Sequence, residues 1–344
     1  MTKILEIKER VVRFCGEYEI YLKFVYKFIL ALALFCLING SIGFMEDVST
    51  FSVALLLSLV CCLLPQAMTI LVAAALVVLH LYVLSMEVAI TALLIFVLIF
   101  FLYFRFSPKD GVLFALTPLC FALNIPYVLP ICAGLLRKIH SVAAVACGTV
   151  VFYFLNGIYE NVTALQSTSA GGTVETTKMT ITVGQLLANK EMYLMVAVFT
   201  LSAIAVNIVR KLSIDHAWKV AYISGALVQI SGLFVGYLIF DISGKTGAMI
   251  IGNLIAILFG FIIEFLFMDL DYSRTERVQF EDDDYYYFVK AVPKKMVSSS
   301  DKEIIRFGGI SSIDRLKEKQ KKTDAPISRK QIAEELDIEE EFLD

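Results

Sequence analysis

Between Phe28 and Leu270 the chain is almost free of charge and is divided into long apolar runs. This feature leaves few folding environments open. Backbone that enters lipid finds no water for its N–H and C=O groups, so it must close its hydrogen bonds within helices or a sealed barrel. The runs are continuous rather than alternating in polarity, which points to helices. Composition agrees: 58% of the 344 residues are hydrophobic, 18% are charged, and the mean hydropathy is +0.75. Soluble domains carry more charge than this. The expected fold class is all-α. It is a polytopic helical membrane bundle of about 8 full transmembrane helices plus a Pro-broken short-helix hairpin, with a mostly flexible cytoplasmic C-terminal tail. The expected divisions are a cytoplasmic amphipathic segment at 1–27, a transmembrane domain at 28–270 and the tail at 271–344.

Ten apolar segments can be read, at 28–44, 51–64, 67–84, 87–104, 111–122, 125–136, 141–157, 192–209, 217–240 and 247–267. The second, fifth and sixth are too short for a bilayer core of about 30 Å. The first residues, MTKILEIKERVVRF, are charged throughout and have no short apolar core, so the first span is expected to act as an uncleaved signal. Basic residues flank alternate connections. Lys23 and Lys27 precede the first span. Arg105, Lys109, Arg137, Lys138, Arg210, Lys211, Arg274 and Arg277 follow the fourth, sixth, eighth and tenth segments. With the N-terminus in the cytoplasm, all of them lie inside, as the positive-inside bias requires. Both termini are then cytoplasmic and the crossings even in number. Trp218, the single tryptophan, falls at a boundary, where an amphipathic ring is favoured.

The pair 111–136 carries Pro118, Pro126 and Pro130, with Asn124 at the break. Each proline removes a donor and clashes with the preceding helical turn. Broken backbone at membrane depth is tolerated only under protein or against a water-filled cavity. Short paired segments interrupted by Gly or Pro are a pointer to a transport site. Pro118, Asn124, Pro126 and Pro130 are therefore candidate pathway residues, against the plainer reading of a buried, kinked hairpin. Parity fits either a re-entrant hairpin or two thin spans.

The connection 158–191 is rich in Thr, Ser and Gly and is expected to be an external loop, with a short strand at Met179–Val183. Asn161-Val162-Thr163 fits the N-glycosylation pattern, relevant only in a eukaryotic cell. About half of all charges lie after Asp271. There, 275–293 reads as a β-hairpin with an acidic turn, and Tyr285, Tyr286 and Tyr287 are candidate partner-docking residues. The segment 328–342, capped by Ser328 and striped by Ile332 and Leu336, reads as an acidic docking helix. One such helix without a companion is no nucleic-acid-binding domain.

Few residues offer chemistry. Glu264 lies within the last apolar segment, and an ionisable group in lipid is a functional candidate by default. His80 reads as a satisfied packing histidine, while His140 and His216 sit at boundaries. Gly232 and Gly236 match the small-residue helix-packing motif, within the chain or between two copies. Gln229 and Asn253 are weaker permeation candidates. The seven cysteines form no CxxC pair and no cluster with histidine, so they support neither disulfides nor zinc. No catalytic arrangement or phosphate loop is present, and no enzyme, cofactor or metal function is expected.

The tail stretch TERVQFEDDDYYYFVKAVPK, behind a hydrophobic body of this layout, resembles multi-pass membrane proteins of Gram-positive bacteria without an assigned activity, some of them labelled permeases. The resemblance implies a bacterial plasma membrane and supplies no catalytic residues. Two functions are expected to compete. One is a permease- or channel-like component whose pathway runs near 111–136. The other is a membrane scaffold in envelope assembly that recruits cytosolic or membrane partners through its tail. Membrane lipids are partners in either case, and a homo-oligomer is open.

Overall fold

The computed structural model describes residues 2–167, 175–242, 244–268 and 275–293. The expected helix at 328–342 and most of the tail lie outside these residues. Thirteen α-helices are described: α1 (Thr2–Glu17), α2 (Glu19–Ile42), α3 (Phe51–Leu63), α4 (Gln66–Leu84), α5 (Met86–Phe106), α6 (Gly111–Ala122), α7 (Val128–Leu136), α8 (Val142–Glu160), α9 (Val162–Ser167), α10 (Glu175–Ala188), α11 (Lys190–Val209), α12 (Ala217–Phe240) and α13 (Thr246–Phe267). A single 3-10 turn, Ile139–Ser141, leads into α8. Strands β1 (Glu276–Glu281) and β2 (Tyr286–Ala291) pair antiparallel, with Val278 opposite Val289 and Phe280 opposite Tyr287.

Among the described residues, seven helices are long and apolar enough to cross a membrane: α2, α4, α5, α8 with its leading turn, α11, α12 and α13. The chain is a polytopic helical membrane protein. Among the shorter apolar helices, α3 has 13 residues, about 20 Å of rise. It packs along α2, and Lys27 of α2 donates to the Leu64 carbonyl just beyond its end, 3.1 Å away. That bond satisfies a carbonyl which the helix terminus leaves open.

One end of the bundle gathers the basic side chains. Arg137 pairs with Asp110 at 3.6 Å, and the two terminal guanidinium nitrogens of Arg210 donate to backbone, one to the Leu135 carbonyl and one to Arg137 O at 2.8 Å. We call this end the basic face. At the opposite end Lys245, just before α13, pairs with Glu191 in the first turn of α11 at 2.6 Å.

Helices in lipid gain little from hydrophobic burial against one another, so they depend on close packing at small residues. Gly134 of α7 shows this best: a Cβ there would stand 2.5 Å from Val206 Cβ and 2.9 Å from the Ala203 carbonyl of α11. Gly232 and Gly236 of α12 pack on Val198 and Leu194 of α11. Their motif is therefore used within the chain.

The expected strand at Met179–Val183 is not formed. That stretch belongs to α10, and the connection 158–191 carries α9 as well. Lys178 and Thr182 are buried and Gln185 is half-buried. This i, i+4, i+7 spacing puts the three on one helical face, against α5 and α8. Gln185 Nε2 donates to the Gly157 carbonyl at 2.5 Å. Tertiary packing here overrides the β-preference of the Thr-Ile-Thr-Val run.

Candidate functional site

The hairpin of α6 and α7 ends where the sequence placed its break. Asn124 adopts φ 59°, the left-handed conformation that Asn tolerates better than most residues. Ile125 N–H donates to the Cys120 carbonyl at 2.9 Å, and Asn124 N–H to the Phe121 carbonyl at 3.0 Å. These are the two bonds of a Schellman cap with Asn at its left-handed position. Asn124 is thus a helix stop first, and its side chain is exposed. The Cys120 and Phe121 carbonyls near the end of α6 are thereby satisfied within the chain.

The prolines are accommodated in three ways. Pro130 is the third residue of α7, in the first turn, where a backbone N–H has no helical acceptor. Pro126 stands in the turn, before the helix begins. Pro118 lies inside α6 and denies the Phe114 carbonyl its helical donor. Helix α8 covers that carbonyl at Gly148, where a Cβ would come within 3.0 Å of the oxygen and 2.6 Å of Thr117 Cβ. All three prolines are buried.

Each arm is shorter than a bilayer core of about 30 Å. Helix α6 has 12 residues and α7 has 9, rises of about 18 and 14 Å. The Asp110–Arg137 pair ties the outer ends of both arms together at the basic face. The arms part between two sets of neighbours. Helix α6 lies against α8, α2 and α4, while α7 lies against α11, α13 and α12.

Beside α6 is a slot of about 360 Å³, walled by residues such as Ile38 of α2, Val77 of α4, Phe96 of α5, Pro118 of α6 and Val151 of α8. Its volume falls within the range of about 300–1,000 Å³ typical of small-molecule sites. No Asp, Glu, Lys, Arg or His lines it. Its polar side chains, Ser41, Asn156 and Tyr159, lie near the ends of α2 and α8 that point away from the basic face. Ala122, two residues before the exposed Asn124, is also in its wall.

Against α7 lies a buried polar cluster. Gln229 Nε2 donates to the Tyr127 carbonyl at 3.3 Å and to Ser202 Oγ at 3.0 Å, and Ser202 Oγ donates to the Gly225 carbonyl at 3.0 Å. Tyr222 of α12 packs on Gly260 of α13. Seven residues on along α12 and seven back along α13, about two turns each, stand Gln229 and Asn253. The two amides therefore share a level and a face. Both side chains are fully buried, and Gln229 Oε1 and Asn253 Oδ1 have no hydrogen-bond partner. In the sequence these two are weak candidates, because nothing in the chain announces which face of a helix α7 will cover.

The remaining candidates lie apart. Glu264 is half-buried, with the Tyr222 phenol in hydrogen-bonding reach and its Oε2 without a partner. His80 is buried and neutral in role: its Nδ1 accepts from Met45 N–H at 3.2 Å and its Nε2 faces Asn39 Oδ1 at 3.1 Å. Tyr285, Tyr286 and Tyr287 are on or beside a hairpin exposed on both faces, with Tyr287 stacked on Phe280 at 4.9 Å. Lys290 of β2 pairs with Asp215 in the loop before α12, and this bond holds the Asp215 carboxyl below the usual carboxylate range.

The fold and site define a class, the helical polytopic membrane protein with a short, proline-broken helical hairpin. No family model, no curated protein and no solved structure matches the chain.

Proposed function

We propose that the chain is a permease-like component of a bacterial plasma membrane, with the hairpin Gly111–Leu136 forming one wall of its substrate path. The basic face and both termini are assigned to the cytoplasm, with α3 taken as an eighth, short crossing beside the seven long helices, following the positive-inside bias of Arg105, Arg137, Lys138, Arg210 and Lys211. The observation that carries this reading is the slot along α6. It borders a proline-broken element and its polar rim lies away from the basic face. A hairpin used only for packing needs no such space beside it.

The test is site-directed labelling in intact cells. Single cysteines at Ala122, Asn124 and Asn156, in a chain whose seven native cysteines are replaced by alanine, are exposed to a membrane-impermeant maleimide. Labelling of Asn124→Cys and Asn156→Cys from outside supports a path that opens outward. Protection of both, with labelling of a control in the Met45–Thr50 connection, defeats it.

A scaffold reading has its own observation. The β1–β2 hairpin exposes Phe288, Tyr285 and Tyr286 to solvent, and two strands alone make a marginal sheet. A partner that adds a strand would stabilise it. Removal of the chain after Asp271 followed by identification of lost companions tests this reading. Loss of envelope-assembly proteins with unchanged permeation favours the scaffold.

A further inference from the structure

We propose that the slot beside α6 holds one hydrocarbon chain of an amphipathic lipid, whose polar end sits at Ser41, Asn156 and Tyr159. This inference rests on the reading of the α6–α7 hairpin as the wall of a substrate path, and it names the class of substrate. Along α2 the slot extends from Leu34 to Ile42, and along α8 from Val151 to Tyr159. Eight residue steps along each helix correspond to about 12 Å. The slot is therefore elongated parallel to the helices, as lipid tails are in a bilayer.

Its chemistry selects the occupant. An ion or sugar would surrender its hydration to walls that offer no charge and few hydrogen bonds, at a cost of several kcal/mol per polar group. Water does not settle in apolar cavities, which stay dry. An empty slot would leave its lining without van der Waals partners on one side. The surrounding membrane supplies hydrocarbon chains at high local concentration. The polarity gradient fixes the direction. Only the far end offers hydroxyl and amide groups, and there Asn156 Nδ2 donates to Glu160 Oε1 at 2.8 Å. A head group bearing an amine or hydroxyls suits this rim better than a bare anion, because the Glu160 carboxylate stands beside it.

The experiment uses the full chain in vesicles of equal parts phosphatidylethanolamine and phosphatidylglycerol. These are doped with a phosphatidylethanolamine carrying a diazirine in one acyl chain. After photolysis, labelled residues are mapped by mass spectrometry. The expected result is label concentrated on the α6 and α8 walls, saturating near one lipid per chain. Filling the slot with Ala73→Leu and Ala115→Leu together should lower that label at least fivefold. Label on lipid-facing Leu98, which is 68% exposed, should not change. Ala74→Phe, at a half-buried wall position, fills the slot from a more tolerant site and should do the same if the double variant fails to fold. Label spread evenly over the exposed helix faces, or unchanged by filling, overturns the proposal. Translocation of a fluorescent lipid in the same vesicles separates the two readings. A labelled slot without translocation keeps the lipid and removes the permease. An unlabelled slot with maleimide access at Asn124 removes the lipid and keeps the path.

Discussion

Gln229→Leu is the most informative single substitution, because its expected effect on stability runs against intuition. Gln229 is fully buried and makes two hydrogen bonds, yet its Oε1 has no partner. Hydrogen bonds between membrane helices average about 0.6 kcal/mol, with a maximum near 1.7. Losing both therefore costs about 1–2 kcal/mol. Removing the orphaned carbonyl returns about 1–3 kcal/mol, the cost of leaving a buried polar group unpaired. Leucine has nearly the same bulk and adds no strain. The sum lies within about 2 kcal/mol of zero and leans towards stabilisation. The assay is reversible unfolding in mixed micelles, by increasing the mole fraction of a denaturing detergent and following helix content. A destabilisation above about 2 kcal/mol would refute the reasoning, since it would mean that Oε1 has a partner in the membrane. A variant that is as stable as the parent but inactive would assign the cluster to function.

Other substitutions follow from the same geometry. His80→Ala orphans the Met45 N–H and Asn39 Oδ1 and should cost about 2–4 kcal/mol in the same unfolding assay. Gly134→Leu drives a side chain into Val206 and should cost about 1–3 kcal/mol or more, whereas Gly16→Ala, with open space around it, should be neutral or slightly stabilising. Asn124→Gly keeps the left-handed cap and removes the amide, while Asn124→Leu keeps bulk and strains the cap by about 1–2 kcal/mol. Lipid translocation lost in both assigns the amide to the path, and loss in the leucine variant alone assigns it to the cap. The Asp282 carboxylate is held below its usual range, first by the Tyr287 phenol and then by the Asp284 and Tyr285 N–H groups. Its contribution to the hairpin is present at neutral pH and is lost as acid protonates it below its unfolded value, near pH 4. Tyr287 side-chain resonances should therefore stay native-like down to about pH 4 and shift below it, and in Asp282→Asn they should be shifted throughout.

The spans were legible because lipid enforces one rule on every residue of a long apolar run. The break at Asn124 was legible too, since Asn between an apolar helix and Ile-Pro has few other conformations open to it. What escaped the sequence were features that exist only between helices. The α10 stripe of Lys178, Thr182 and Gln185 was visible as a spacing, but the β-branched residues around it pointed the other way. The slot is bounded by five helices, and its lining residues are ordinary apolar ones with no pattern of their own. Gln229 and Asn253 converge only because Tyr222 packs on Gly260 and fixes the register of α12 against α13. Pro118 and Pro130 looked alike in sequence, yet one borders the slot while the other merely occupies a first turn.

The Lys8 ammonium of α1 is buried, donates to the Met268 carbonyl at 3.0 Å and lies over the Phe265 ring at 5.3 Å. Its acceptor lies 260 residues downstream, beyond the last membrane helix. During synthesis the ribosome releases Lys8 long before that carbonyl exists. The seat of α1 on the bundle can be completed only when α13 has been inserted. Helix α1 is thus made long before its seat exists, and it settles only after α13 is in place.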